Sequence, residues 1–554
     1  MAVVYMRKLE QEPETYDSNF TTLTKGVNLE VQNWVLDHTN ISEAILEIGC
    51  GTGVLAAKLA LKGNNVLAID KNFNMINYAM QNYPQEENLN LIYQIGSFTN
   101  MPTENFSKDV VISTFMLSEL RPFEQQIFLR NVWKVLKPEG RLIIAAEFVP
   151  SGFWKIPFKF KRWWFRKKLR RLRLKSTFLV KWFFNYLEPI GFKISAQKKW
   201  KHGSIQVLEL KKINLDKTDE PGYYRPRPRR FKGLRSQLRI YRSIFTGQVD
   251  HIPIEPGIYP AGTPDKGSPI VVTANYDFTY IKVMRDLKKI NAWVMCVDSS
   301  GINVWCAARG DNFGNTQLIE AVEATGIQHI SNKKTLLLPQ LSAGGISIPE
   351  LPISSERFPF RVKYGPVWSK FLPDYLKEKP SQKSDKMKLA KFTISHRIRA
   401  GLTHTTFLFR KVFLLPIFAL FILFLVLSIF TDFDKLWWIG EVCLWIIFTN
   451  AIIFISFPTS EFTQKFVIKG IFYGFINIGI LGVLTWWVHH SILYMLFSIP
   501  FFFWIAFFST MSSSGYTMAT SPRKIEIEYP LFSLLNKVFL IISLVSLTIG
   551  VIFF

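Results

Sequence analysis

The sequence predicts an α/β multidomain chain that closes with an α-helical transmembrane domain of five spans. Three patterns predict it. Between Ala44 and Asp70 an apolar strand, a glycine-rich turn, a helix and a second strand ending in a carboxylate follow one another; from Pro269 onward buried strands again alternate with amphipathic helices; and residues 411–554 carry five long apolar runs. With 554 residues, 48% of them hydrophobic, the chain is long enough for two soluble domains and a membrane region. The formal net charge of +25 calls for an anionic partner, nucleic acid or a membrane surface, and the placement of the cations decides between them. The four cysteines, Cys50, Cys296, Cys306 and Cys443, show no C-x-x-C spacing, so neither a zinc site nor an iron–sulfur cluster can be built from them. Their scarcity, and an N-terminus without a signal-peptide pattern, place the soluble part in a reducing cytosol.

The first domain is expected over 1–212, after a polar leader. Gly49, Gly51 and Gly53 let the backbone turn sharply and approach a ligand without a side chain in the way, and Asp70 ends the second strand where a carboxylate can accept both hydroxyls of a ribose. Beginning at Glu47, the E-x-G-x-G-x-G spelling, with DVVISTFMLSEL (Asp109–Leu120) and RNVWKVLKPEGRLIIAAE (Arg130–Glu147) in order behind it, resembles the class I S-adenosylmethionine-dependent methyltransferases. The resemblance implies a Rossmann-like fold with S-adenosylmethionine held by Glu47, the three glycines and Asp70. Where that family often has an acid for the adenine, this chain has Gly96-Ser97-Phe98, so Ser97 and a stacking Phe98 are the candidates there. The chain shows no DPPY-type or NPPY-type motif, which argues against methylation of nucleic acid.

Residues 153–184 interleave aromatic residues with Lys and Arg and hold no acid before the final strands of the domain. A solvated basic face, a nucleic-acid site and an interfacial helix all fit such a run; with apolar spans elsewhere in the chain, anionic lipid is favoured and nucleic acid is not expected. A linker follows at 213–255, in which PGYYRPRPRRFKG (Pro221–Gly233) is expected to be a semi-extended tether.

The second domain is expected over 256–385, with strands in PIVVTANY, AWVMCVD, TLLLP and VKYG. Within it lies GINVWCAARG, Gly301–Gly310. Alone, Cys306 reads as a small buried hydrophobe, the commonest state of a cysteine. However, NVWCA, together with PIVVTANYDF, LLLPQLSAGGI and VKYGPV, resembles the corrinoid protein family of microbial mercury methylation, a relative of the large subunit of the corrinoid iron–sulfur protein. The resemblance covers roughly 255–554. It implies a bound corrinoid (cobalamin) with Cys306 as the axial ligand of cobalt and the catalytic residue, Trp305 and Ala307 beside it, and Thr273 and Asn303 near the rim of the ring. A thiolate is a soft, strongly donating ligand suited to that role. Where the family continues Gly-Lys, this chain has Arg309-Gly310, a change that bears on the methyl acceptor more than on the cofactor. Cys296, inside a strand, is expected in the core.

A basic juxtamembrane segment (386–410) precedes apolar runs near 411–430, 436–457, 466–487, 491–509 and 532–553. Cations before the first run and at Lys465, Arg523 and Lys524 place the N-terminal domains on the cytoplasmic side of an inner membrane. His489-His490 reads as an interfacial pair and Glu441 as the one acid inside a span. The leading expectation is corrinoid-dependent methyl transfer to a metal ion substrate, Hg(II) or a related soft metal or metalloid. An external ferredoxin-type iron–sulfur protein serves as reductant, and the first domain loads the cobalt. The alternative is methylation of a lipid or small molecule by the first domain, with a separate corrinoid-binding, storage or sensing module.

Overall fold

The computed structural model describes residues 9–84, 90–171, 177–178, 180–213, 220–245, 252–310, 312–353, 355, 357–377, 383–388, 393–398, 401, 437–460, 462–514 and 522–553. They form two compact units: Met1–Pro226 with Glu255–Ile258 and Ile319–His329, and Arg227–Ile254 with Tyr259–Leu318 and Ile330–Phe554.

The first unit is built on a seven-stranded sheet in the order β3-β2-β1-β4-β5-β7-β6, with β1 Ala44–Ile48, β2 Asn65–Asp70, β3 Leu91–Ile95, β4 Lys108–Thr114, β5 Leu136–Glu147, β6 Phe192–Trp200 and β7 Ile205–Lys212. β1 to β5 run parallel, and β7 inserts antiparallel between β5 and β6. Apolar side chains leave the central strands on both faces, as a sheet covered on both sides requires. Ile45, Val110 and Ile112 enter one core, whereas Leu46, Ile48 and Val111 enter the other. The polar leader is in fact two helices, α1 (Pro13–Thr24) and α2 (Val27–Asp37), which bury Phe20, Val27, Val31, Trp34 and Val35 in the first core. Helices α3 (Val54–Leu61), α4 (Phe73–Asn82) and α5 (Pro122–Val135) follow β1, β2 and β4. The basic aromatic segment forms α6 (Lys155–Arg171) after β5, and α7 (Phe183–Ile190) leads into β6.

The second unit holds a five-stranded sheet ordered β12-β11-β9-β10-β8, with β8 Gly257–Ala261, β9 Ile270–Ala274, β10 Ala292–Val297, β11 Thr335–Leu338 and β12 Arg361–Tyr364. The pairs β9–β10, β9–β11 and β11–β12 are parallel. The linker is not all tether: after Gly233 it forms α8 (Leu234–Phe245), whose Arg239 grips both oxygens of Asp277 at 2.8 and 2.9 Å, at the start of α9 (Asp277–Asp286). Helices α10 (Val304–Arg309) and α11 (Asn315–Thr325) lie between β10 and β11. Cys296 is buried in the core, as its strand position predicts.

Among the described residues four apolar helices close the chain: α12 (Trp437–Ile455), α13 (Phe466–His489), α14 (Ile492–Ser514) and α15 (Pro522–Phe553). Among the described residues three segments are long and apolar enough to cross a membrane, Phe466–His489, Ile492–Thr510 and Ile527–Gly550, and Gly440–Ile455 is shorter. The expected span at 411–430 and most of the juxtamembrane segment lie outside the described residues.

Candidate functional site

Two sites can be built from the residues named by the sequence. In the first unit the turn after β1 runs through Gly49, Gly51 and Gly53 at φ of 75°, 56° and 80°, a region that favours glycine. The three glycines do different things. A side chain at Gly53 would strike the Tyr93 hydroxyl at 2.6 Å and Ala79 at 2.8 Å, and one at Gly49 would press on Met116, but one at Gly51 meets nothing within 4 Å. Gly51 therefore borders open space. Asp70 closes the same turn: its Oδ2 accepts from the Gly51 amide at 3.1 Å and its Oδ1 from the Asn72 amide at 2.8 Å. Burial raises the Asp70 carboxyl pKa, against those two amides, which favour the charged form. Glu47 is buried beside the turn with Oε2 lacking a hydrogen-bond partner among the described residues, and desolvation, with the Asp70 charge adding to it, pushes its pKa up to about 8. An orphaned carboxyl oxygen, an open glycine and a carboxylate oriented by the backbone fit a small cationic nucleoside such as S-adenosylmethionine. Ser97 engages Thr99 at 2.7 Å through its hydroxyl, and half-buried Phe98 meets Phe128 edge-on at 6.1 Å, with Asn131 donating to its carbonyl. Sequence reasoning missed Lys71, which pairs with Glu119 at 2.8 Å next to Asp70.

In the second unit α10 carries the cysteine. Asn303 caps it: its Oδ1 accepts from the Cys306 amide at 3.0 Å, and its Nδ2 reaches Cys306 Sγ at 3.4 Å. Cys306 and Trp305 are half-buried, while Ala307 is fully buried. The Arg309 guanidinium lies over the Trp305 ring, 3.8 Å from its centroid, and burial lowers its pKa against the opposing pull of Cys306. Thr273 is placed otherwise than at a rim. It is 1% exposed and paired in register with Cys296, so it belongs to the sheet interior.

Two positions that the sequence reading left unassigned set this site. Asn275, fully buried, accepts from the Ser299 amide (2.9 Å), the Ser299 hydroxyl (3.0 Å) and the Gly301 amide (3.1 Å) while donating to Asp298 at 3.1 Å, and so fixes the loop that enters α10. Gly345 lets the LSAGG turn lie on α10, because a side chain there would meet the Phe313 carbonyl and, at 2.6 Å, the Ala308 carbonyl. A cleft of about 290 Å³ beside α10 is lined by Arg309, Phe313, Asn315, Gln317, Gly344 and Gly345. Among the described residues no group of three or more His, Cys, Asp or Glu side chains could hold a metal ion.

Fold and site define a chain that joins a Rossmann-like methyltransferase domain to a second α/β domain. Residues 45–140 match the methyltransferase domain family, and residues 233–347 match the family described as the CO dehydrogenase/acetyl-CoA synthase delta subunit. The chain is similar to the acetyl-CoA decarbonylase/synthase complex subunit gamma of Methanocaldococcus jannaschii, 31% identical over 108 residues (19% of this chain and 22% of the relative). It is also similar to the subunit gamma of Methanothermobacter thermautotrophicus, 26% identical over 147 residues (26% and 31%). The chain thus spans less than a third of the curated relatives it matches. A solved S-adenosylmethionine-dependent methyltransferase from Methanosarcina mazei aligns at 21% identity over 32% of this chain and 96% of that one, with a TM-score of 0.27.

Proposed function

We propose that the chain is a membrane-anchored, corrinoid-dependent methyltransferase that delivers a methyl group to Hg(II) or a related soft metal ion or metalloid. The observation that carries this reading is the half-buried Cys306, whose sulfur lies within 3.4 Å of the Asn303 amide nitrogen at the start of α10. A corrinoid bound there would supply a cobalt centre able to take up an electrophilic methyl group and release it with its bonding electrons. Cys306 would ligate that cobalt, Asn303 would orient the sulfur, and Trp305 with buried Ala307 would shape the surface beneath the ring. In the first domain Asp70 would hold the ribose of S-adenosylmethionine, the Gly49–Gly53 turn would let its backbone approach, and Glu47 would lie beside the sulfonium end of the site. The donor methyl is electrophilic and so is Hg(II), so the two need an electron-rich carrier between them and an external iron–sulfur reductant to renew it.

The test is the visible spectrum of the cobalamin-reconstituted protein beside Cys306→Ala, followed by addition of Hg(II) to the methylated form. A spectrum that depends on the thiol, with methylmercury released, supports the reading. A spectrum indifferent to Cys306, or retention of the methyl group, overturns it and leaves methylation of a lipid or small acceptor by the first domain, which the outward aromatic face of α6 favours.

A further inference from the structure

The α6 helix has two unlike faces. Phe158 and Arg162, four apart, are buried, whereas Ile156, Phe160, Trp163 and Trp164 fall together on the opposite side and are 70%, 67%, 55% and 52% exposed. An apolar face of this size left in water marks a docking surface. The helix is not a loose arm. The Arg162 guanidinium pairs with Glu147 at 2.6 Å, at the carboxyl end of β5, and donates to the Thr177 carbonyl at 2.7 Å and the Phe178 carbonyl at 2.9 Å. The returning strand is pinned in turn, the Phe178 amide donating to the Ser118 carbonyl at 2.7 Å, one residue from the Glu119 that pairs with Lys71. The inward face of α6 is therefore tied to the carboxyl end of β5 and, through Phe178, to Ser118 in the segment after β4, which leaves the aromatic face turned outward.

We infer that this face docks the methyltransferase domain on an anionic phospholipid surface. The occupant follows from charge and from the rest of the chain. Lys155, Lys159 and Lys161 are exposed along the flanks of the aromatic face, and α6 contains no acid to offset them. Aromatic side chains between cations suit the boundary of headgroups and acyl chains, where rings enter 5–10 Å and ammonium groups stay with the phosphates. Among the described residues of the same chain three helices are long and apolar enough to cross a bilayer, which keeps such a surface within reach. The inference stands whichever methyl acceptor is correct.

The test uses the full chain in nanodiscs of phosphatidylcholine, with or without phosphatidylglycerol, carrying a nitroxide at Phe160 or, as a control, at Ile41 elsewhere on the same unit. Insertion of the chain into the discs is verified first by flotation, so that failure of the membrane reading is seen separately. In discs containing phosphatidylglycerol the Phe160 label should become shielded from a polar nickel relaxant and open to oxygen, with the Ile41 label unchanged. Neutralising any one of Lys155, Lys159 or Lys161 to Gln should lower the docked-to-undocked ratio about fivefold. Equal nickel access at Phe160 and Ile41 would overturn the inference. So would shielding that is just as strong in neutral discs, the mark of a protein partner or second copy, or shielding that appears only when single-stranded RNA is added.

Discussion

Asn303 acts twice on the cysteine three residues after it, once through the backbone and once through the sulfur, and the two actions can be separated. Asn303→Ala removes the cap and should cost about 1 kcal/mol of local stability. Asn303→Asp keeps a capping oxygen but replaces the donor near Sγ with a carboxylate, which disfavours a thiolate. The Asp variant should therefore keep the parent's protease resistance while Cys306 alkylates more slowly at neutral pH, read by mass spectrometry; equal rates would show that the amide does not act on the sulfur. Glu47 offers a second test at this scale. Its unfolded pKa is near 4.5 and its folded value about 8, so below the lower value it costs nothing; between the two, the unfolded chain ionises first and the domain loses stability. The loss, on the order of 5 kcal/mol, is complete above the folded value. Glu47→Gln should flatten that fall, measured as the denaturant midpoint for alkylation of buried Cys50; an unchanged slope between pH 5 and 8 would show that Glu47 ionises normally. The glycine turn and Asp70 were legible in the sequence because their meaning is local, three glycines between a strand and a helix. Asn275 and Gly345 were not, since the loop and helix they serve lie 24 to 37 residues away and no pattern announces such a partner.

At the scale of the element, α6 shows how one buried ion pair positions a helix whose other face is turned outward. Arg162 and Glu147 are 3% and 0% exposed as side chains, so breaking the pair leaves a charge in the interior. Arg162→Met should destabilise the docking of α6 on its domain by about 3–5 kcal/mol, whereas the double change Arg162→Met with Glu147→Leu should recover most of that loss, because the stranded carboxylate goes with it. Limited proteolysis within residues 153–180 reads the difference; no recovery in the double variant would assign the cost to the Thr177 and Phe178 carbonyls instead. The basic, aromatic character of α6 was plain from composition, but its inward Arg162 was hidden among many outward cations. The helices α1 and α2 carried a visible signal, since Val27, Val31, Trp34 and Val35 recur at spacings of four, three and one. The polar residues between them masked it. α8 was masked by the proline-rich run before it, although Gly233 ends that run and a helix of strong apolar–basic alternation starts at the next residue.

Across the whole molecule, the apolar run lengths announced the long C-terminal helices, but not what holds them together, because the same leucines and phenylalanines that make a helix apolar give it no preferred partner in an apolar medium. Among the polar ties between the described helices, two join α12, α13 and α14. At one end Glu441 of α12 meets His489 of α13 at 2.8 Å and accepts from the Tyr494 hydroxyl of α14. Midway, Asn477 of α13 donates to Thr449 of α12 at 2.9 Å and to the Phe502 carbonyl of α14 at 2.8 Å. Both ties join the same three helices, and residues 477 and 489 are separated by roughly 18 Å of helix. Glu441→Leu strands a histidine and a hydroxyl and should cost about 3 kcal/mol; Asn477→Leu removes ordinary hydrogen bonds and should cost about 1–2 kcal/mol. Sites so far apart share no partner, so the double variant should equal the sum within about 0.5 kcal/mol, measured by steric trapping in detergent–lipid bicelles. A double variant much less destabilised than the sum would mean that losing the Glu441 end already opens the helices as far as Asn477, and that the three helices separate as one unit from that end.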